Sequence, residues 1–266
     1  MSHEHSHTTQ QERSHRTGHV TFVGAGPGDP ELLTLKAVRS LQEADVVIHD
    51  RLVTSEVLAL ASASATLIDM GKAGFGPSTP QAVIDAAIVA HAAMGAHVVR
   101  LKSGDAIVFG RLDEEIEACI AAGIDYTIVP GITSASAAVA GIGQSMTRRG
   151  RNSSVRLITG HDVKGFADQD WRALAAPGEV AAIYMGKRAA RFLQGRLLMH
   201  GGDRATPITL VENASRPDQR IEETNLGTLP QDLERAQMKG PCLILFGLAP
   251  RKAAATLPTI TQEIAL

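Results

Sequence analysis

From residue 19 onward the chain alternates short apolar runs with longer stretches whose apolar positions follow helical spacing. A strand over 19–23 leads into a glycine-rich loop over 24–30. A helix over 32–43 follows, with apolar positions at 32, 33, 35, 37, 38 and 41. The alternation continues through strand 46–49, helix 55–61, strand 66–69, helix 80–94, strand 97–101, helix 112–122 and strand 126–129. Strands separated by such helices are expected to pair in parallel, because parallel neighbours need a long crossover between them.

Pro130-Gly131 breaks the pattern, and 132–142 reads as a helix of small residues able to pack closely on a backbone or a ligand. A second run begins near Ser153, with strands over 154–158 and 180–184, helix 187–199, strands 207–212 and 219–224, helix 230–237 and strand 242–246. The expected fold class is α/β: two α/β domains in tandem, with the active site in the cleft between them. The divisions are a flexible tail over 1–18, an N-terminal α/β domain over 19–131, a linker and helix over 132–152, a C-terminal α/β domain over 153–250 and a tail over 251–266. The two halves show no internal repeat.

Composition narrows the function. With 266 residues, 44% hydrophobic and 20% charged, the chain is globular, and a net charge of -2 speaks against nucleic-acid binding by bulk electrostatics. Any anion site must be local. Cys119 and Cys242 each lie in an apolar stretch without CxxC spacing, so a reducing cytoplasm is the expected compartment and no metal is expected at them. The most apolar windows, 133–142 and 242–249, fall short of the ~20 residues that span a bilayer. Residues 1–18 lack the apolar core of a secretory signal, so neither membrane insertion nor export is expected. His3, His5, His7 and His15 in that tail are read either as solvated side chains or as metal ligands.

Gly24-Ala25-Gly26-Pro27-Gly28-Asp29-Pro30 sits where a dinucleotide fingerprint would, between a strand and a helix. The spacing differs: GxGxxG needs glycine where this chain has Asp29, and Pro27 stiffens the turn. Either the loop is a bare strand-to-helix turn or it serves a different ligand.

Seven further segments decide between these. VGAGPGDPELLTLKA at 23–37 is followed in order by ADVVIHDRLV at 44–53, MGKAG at 70–74, RLKSGDAIVFGR at 100–111 and VPGITSAS at 129–136. VRLITGH at 155–161, YMG at 184–186 and VENAS at 211–215 complete the series. The set resembles the tetrapyrrole (class III) methyltransferases from about 19 to 250. HDRLV, the Gly71-Lys72 pair, the DEE run at 113–115 and TGH resemble most the branch that methylates uroporphyrinogen III. The chain has no room for the dehydrogenase and ferrochelatase module of fused members, so the resemblance implies a single-function form. It departs from the family at Ser103 and Ala106, where GGDP is usual, at Leu112 and Asp113, where GGEE is common, at Arg148, where THR is usual, and at Ala214, where VENG is usual.

The resemblance implies S-adenosyl-L-methionine (SAM) as methyl donor without a metal, a small-molecule tetrapyrrole as substrate and a homodimer. It implies cofactor contacts from Pro27, Ser103, Gly104, Asp105, Val108, Thr133, Ser134, Met185 and Ala214. Read from the residues alone, these positions lie in loops at strand ends, where open α/β sheets bind ligands. Met185 on that reading is either a ligand neighbour or core. By resemblance Asp50 accepts a proton, Lys72 donates one, and Arg51 contacts substrate. Asp50 and Arg51 can equally be a structural ion pair. Thr147, Arg148, Arg149 and His161 are the remaining substrate candidates, with His161 open to a purely structural role. From Tyr126 to His161 there is no Asp or Glu, yet Arg148, Arg149, Arg151 and Arg156 all fall there. They form either a carboxylate-binding patch or a solvated turn.

Overall fold

The structure, a computed structural model, describes residues 18–71, 79–163 and 165–251. These fall into two compact units: one runs to Ala25 and resumes over Pro30–Gly131, and the other comprises Gly26–Asp29 and the chain from Ile132 onward.

The first unit contains β1 (His19–Gly24), α1 (Leu35–Gln42), β2 (Val46–His49), α2 (Ser55–Leu58), β3 (Thr66–Asp69), α3 (Gln81–Ala93), β4 (His97–Lys102), α4 (Leu112–Ala121) and β5 (Asp125–Val129). Its sheet is wholly parallel in the order β3-β2-β4-β1-β5. Helices cover both faces, which is why the central strands are apolar almost without interruption. Val20, Phe22, Ile48 and Val98 pack with Ile84 and Ile88 of α3 and Leu112 and Cys119 of α4. The alternate positions, Val23, Val47, Val99 and Leu101, pack with Ala37 and Leu41 of α1 and Val57 of α2.

Two helices of this unit differ most from the pattern. α1 begins at Leu35 rather than 32, because Thr34 Oγ1 accepts a bond from Ala37 N at 3.1 Å and caps the helix there. Pro30–Leu32 forms a separate 3-10 turn instead. α2 is one turn long, since beyond it Leu60 N and Ala61 N bond three residues back, to Val57 O and Leu58 O.

The second unit contains α5 (Ser134–Gly141), β6 (Arg156–Thr159), the hairpin β7 (His161–Asp162) and β8 (Gly165–Phe166), α6 (Trp171–Leu174), β9 (Ala181–Tyr184), α7 (Ala190–Met199), β10 (Pro207–Glu212), β11 (Arg220–Asn225), α8 (Leu229–Ala236) and β12 (Cys242–Phe246). The hairpin and α6 were not expected. The sheet order is β11-β10-β12-β9-β6, and the pairing is mixed: β6 runs parallel to β9, β12 antiparallel to β9, and β10 antiparallel to both β12 and β11. β6, β9 and β10 therefore point one way and their carboxyl ends share an edge. The stretch 132–152, read as a linker with a helix, supplies α5, whose Ala135, Ala138 and Val139 pack on Ala182, Val211 and Leu245. Leu193 and Leu197 of α7 cover the other face with Trp171 and Leu229. Among the described residues no helix is long and apolar enough to cross a membrane.

The two thiols follow from this packing. Burial, with a smaller push from Glu115, raises Cys119 to about 11, and burial raises Cys242 to about 12. At pH 8 the thiolate fraction is then on the order of one part in a thousand or below. Native protein at pH 8 should resist iodoacetamide for hours, and denatured protein should take an adduct on each cysteine. Fast native alkylation of Cys119, read by mass spectrometry, would contradict the packing around it.

Candidate functional site

In the first unit the candidate residues follow the carboxyl ends of parallel strands, where backbone N–H groups and side chains are left free of the sheet ladder. At this edge β1, β4 and the chain after β5 come so close that no side chain fits between them. A Cβ on Gly24 would stand 2.6 Å from Gly131 N and 2.9 Å from Gly104 O. Gly104 also lies in the left-handed region at φ 72°.

The loop after β4 carries four cofactor candidates. Gly104 is buried, while Ser103, Asp105 and Val108 are partly exposed. Asp105 Oδ1 accepts a bond from Ile107 N at 3.3 Å and Val108 N donates to Asp105 O at 3.1 Å, so the loop folds back on its own aspartate. Phe109 and Arg111 then take left-handed conformations at φ 51° and 54°. Such positions are costly for residues with a side chain and are retained where the surroundings enforce them.

Asp50 and Arg51 follow β2, but they are not each other's ion pair. Asp50 Oδ1 receives Arg100 Nη2 at 2.6 Å, and Asp50 Oδ2 takes no hydrogen bond from any described residue. Arg51 is exposed, and Gly71 packs against it so tightly that a Cβ there would collide with the Arg51 Cβ and sit 2.8 Å from Asp69 Oδ1. Lys72, the expected proton donor, lies outside the described residues, as do the four tail histidines.

Arg100 belongs to a charged cluster that sequence reasoning missed. Arg100 and Lys102 point to the same side of β4, into the core under α3 and α4. Glu115 of α4, fully buried, receives Arg100 Nε on one oxygen at 2.9 Å and Lys102 Nζ on the other at 2.8 Å. Arg100 Nη1 donates to Ile48 O and Leu101 O at 3.4 and 3.3 Å. With Asp50 the cluster holds two positive and two negative groups. Burial pulls the Arg100 guanidinium down, but Asp50 and Glu115 together outweigh it and hold Arg100 above its ordinary value. Lys102 ends below its own, pushed there by burial and then by Arg100, against the opposing pull of Glu115. The neighbouring Glu114 stays at the surface in a pair with Arg111. One signal could have found the cluster: two cations at i and i+2 inside an apolar strand must face a buried acid.

In the second unit, His161, Met185 and Ala214 follow β6, β9 and β10 and so collect at their shared edge. Met185 is not core. It is half exposed and left-handed at φ 53°. His161 Nδ1 bonds to Met185 O at 3.0 Å, and its ring meets Phe166 edge-on, so this histidine of β7 is fixed between β8 and the turn after β9. Ala214 is buried between two left-handed residues, Asn213 and Ser215. That turn holds the glycine loop: Asp29 N donates to Ser215 Oγ at 3.2 Å and Arg216 Nε to Pro27 O at 3.4 Å. Thr133 precedes α5 and its hydroxyl pairs with that of Tyr184, which also accepts from Ala135 N at 3.2 Å. Tyr184, which no residue-level reading singled out, thereby joins the start of α5, and with it Ser134, to the end of β9.

The arginine stretch divides. Arg156 pairs with Glu179 at 3.1 Å, and Arg151 donates to Ser145 O and Met146 O, tying its own turn. Thr147, Arg148 and Arg149 are exposed, and neither Arg148 nor Arg149 has an ion-pair partner among the described residues. The patch is thus two free arginines, not four. Among the described residues no group of three or more His, Cys, Asp or Glu side chains could hold a metal ion.

Comparison with known proteins follows the same outline. Residues 19–230 match the family of tetrapyrrole (corrin/porphyrin) methylases. A sirohaem synthase of Edwardsiella ictaluri is 46% identical over 231 residues, covering 86% of this chain and 49% of the relative. One from Azotobacter vinelandii is 42% identical over 230 residues, covering 86% and 50%. The chain thus spans about half the length of these curated relatives. Among solved structures, the uroporphyrin-III C-methyltransferase of Thermus thermophilus complexed with S-adenyl homocysteine superposes with a TM-score of 0.75 at 36% identity, covering 86% of this chain and 97% of that one. A cobalt precorrin-4 methyltransferase gives 0.76 at 26% identity, covering 86% and 94%.

The buried cluster makes Glu115 a costly side chain to remove. Glu115→Ala should lower unfolding stability by about 3–5 kcal/mol, because it leaves Arg100 and Lys102 buried without their acid. Urea unfolding followed by circular dichroism measures this, and a loss under about 1 kcal/mol would mean that water or a shifted carboxylate replaces Glu115.

Proposed function

Because the chain belongs to the tetrapyrrole (corrin/porphyrin) methylase family, we propose that it is a SAM-dependent C-methyltransferase that methylates uroporphyrinogen III at C2 and C7, giving precorrin-2 by way of precorrin-1. The observation that carries this reading is the likeness to the Thermus thermophilus uroporphyrin-III C-methyltransferase over 97% of that chain.

The residues present suit such a donor. Gly24, Gly104 and Gly131 let the strand ends meet with no side chain between them, Asp105 offers a partly exposed carboxylate to amine or hydroxyl donors, and Met185 offers a half-exposed, polarizable side chain. The reading assigns Pro27, Ser103, Gly104, Asp105, Val108, Thr133, Ser134, Met185 and Ala214 to the donor. Bound SAM supplies a methyl group on a sulfonium sulfur, which leaves as a neutral thioether. The chain's own tasks are to hold two reactants in line, exclude water and remove a proton. A ring that has gained a methyl cation returns to neutrality by losing one proton, and Asp50 Oδ2 is the atom proposed to take it, with Lys72 as the proposed proton donor.

A porphyrinogen bearing many carboxylates calls for cations whose charge is not already spent. Arg148 and Arg149 meet that condition, Arg51 is exposed beside Asp50, and we assign all three to substrate, together with Thr147 and His161. We further take the protein to be a homodimer acting in the cytoplasm, with light scattering as the check on the dimer.

Purified protein incubated anaerobically with uroporphyrinogen III and SAM should yield a product carrying two added methyl groups by mass. A single methyl, or methylation only of a later precorrin, would overturn the substrate assignment. Arg149→Ala should raise the KM for uroporphyrinogen III while leaving SAM affinity nearly unchanged, and the effect should shrink with added salt, because an exposed contact is screened over about 10 Å at 0.1 M. Equal loss for both ligands would mean a folding defect. Asp105→Ala should weaken SAM binding by about 1–3 kcal/mol in calorimetry, and an unchanged titration would remove Asp105 from the donor site.

A further inference from the structure

We propose that Glu115 is a positioning residue for methyl transfer: acting through Arg100, it limits the Asp50 carboxylate to a single contact and so keeps Asp50 Oδ2 available to the ring proton. The inference rests on the proposed function, in which Asp50 is the proton acceptor.

An arginine beside a carboxylate prefers to bind both oxygens, through two parallel N–H groups on one edge of its plane. Here that outcome is blocked. The Nε position of Arg100 is taken by Glu115 Oε1 at 2.9 Å, and Nη1 is turned to the carbonyls of Ile48 and Leu101. Only Nη2 is left for Asp50, and it reaches Oδ1 alone, at 2.6 Å. The guanidinium is 2% exposed, whereas the Asp50 side chain is 36% exposed. The pair therefore has a buried, immobile half and a half that faces solvent.

Glu115 is itself held on both sides. Its second oxygen receives Lys102 Nζ at 2.8 Å, and Gln81 Nε2 lies 3.4 Å from the first. Lys102 is the last residue of β4, where the loop carrying Asp105 begins, and its Cε lies 3.0 Å from where a Cβ on Gly110, near that loop's end, would stand. One acid on α4 thus sets both the carboxylate after β2 and the base of the loop after β4. Without its charge, Arg100 is free to turn its Nε edge toward Asp50 and take both oxygens.

The test is a double-mutant cycle on kcat, with uroporphyrinogen III and SAM as substrates. Asp50→Asn should lower kcat about a hundredfold, as loss of a proton acceptor does. Glu115→Gln, which keeps volume but removes charge, should lower kcat about tenfold while changing either KM by less than about twofold. In the Asp50→Asn background the same Glu115→Gln change should cost nothing further. An equal loss in both backgrounds would overturn the inference, since Glu115 would then act on the fold and not through Asp50. Full kcat in Asp50→Asn would instead overturn the Asp50 assignment, and the inference with it. If Glu115→Gln does not fold, Glu115→Asp keeps a buried negative charge beside Lys102 but draws the carboxylate back from Arg100 Nε, which again frees that edge for Asp50. The same background-dependent loss of kcat is expected from it, and background-independent loss counts against the inference.

Discussion

Two cations on the core side of a central strand can stay there only if an acid is buried with them. Arg100 and Lys102 occupy that side of β4, and Glu115 meets both. Buried ion pairs contribute little net stability, but removing one partner is expensive, so their main effect is to forbid alternatives. Here they forbid two. α4 cannot rotate or slide without losing Glu115 from its partners. β4 cannot slip by one residue against β2, where Arg100 lies opposite Ile48, because a slip would turn both cations to the other face. The loops at the carboxyl edge inherit their places from that register.

The strands were legible from the pattern because each is an apolar run bounded by glycine, proline or polar residues, and their ends located Asp50, Asp105, His161, Met185 and Ala214 near sheet edges. Pairings across the fold were not legible. Glu115 stands fifteen positions from Arg100 on a different element, and only Arg100 and Lys102 within HVVRLK hinted that something buried must answer them. The acid-free stretch from Tyr126 to His161 misled in a similar way, since Arg156 finds Glu179, which lies beyond it in sequence and beside it in space. Helix starts depended on single side chains, as at Thr34, and the mixed pairing of the second sheet depended on β10 turning back directly into β11 without a crossover helix.

Backbone strain marks the same loops independently of any side-chain chemistry. Of the described non-glycine residues at positive φ, Phe109, Arg111, Met185, Asn213 and Ser215 all lie in the connections that follow β4, β9 or β10, and only Gln237 ends a helix elsewhere. A chain relaxes such conformations unless its surroundings hold them, so these turns are rigid features and not slack connections. Met185 shows why the residue type alone misleads. A methionine after an apolar strand looks like core, and the left-handed turn puts it outside.

The glycine loop has a consequence for how the protein is made. Gly26–Asp29 group with the second unit although the chain on either side belongs to the first, and their partners Ser215 and Arg216 lie 186 and 189 positions further on. On the ribosome the parallel sheet of the first unit has all its strands once Val129 has emerged. The four loop residues must wait for Ser215 and Arg216 to be made, at roughly 5–20 residues per second of synthesis. A nascent chain stalled before residue 215 would therefore carry a finished sheet with an unfinished turn at its first strand.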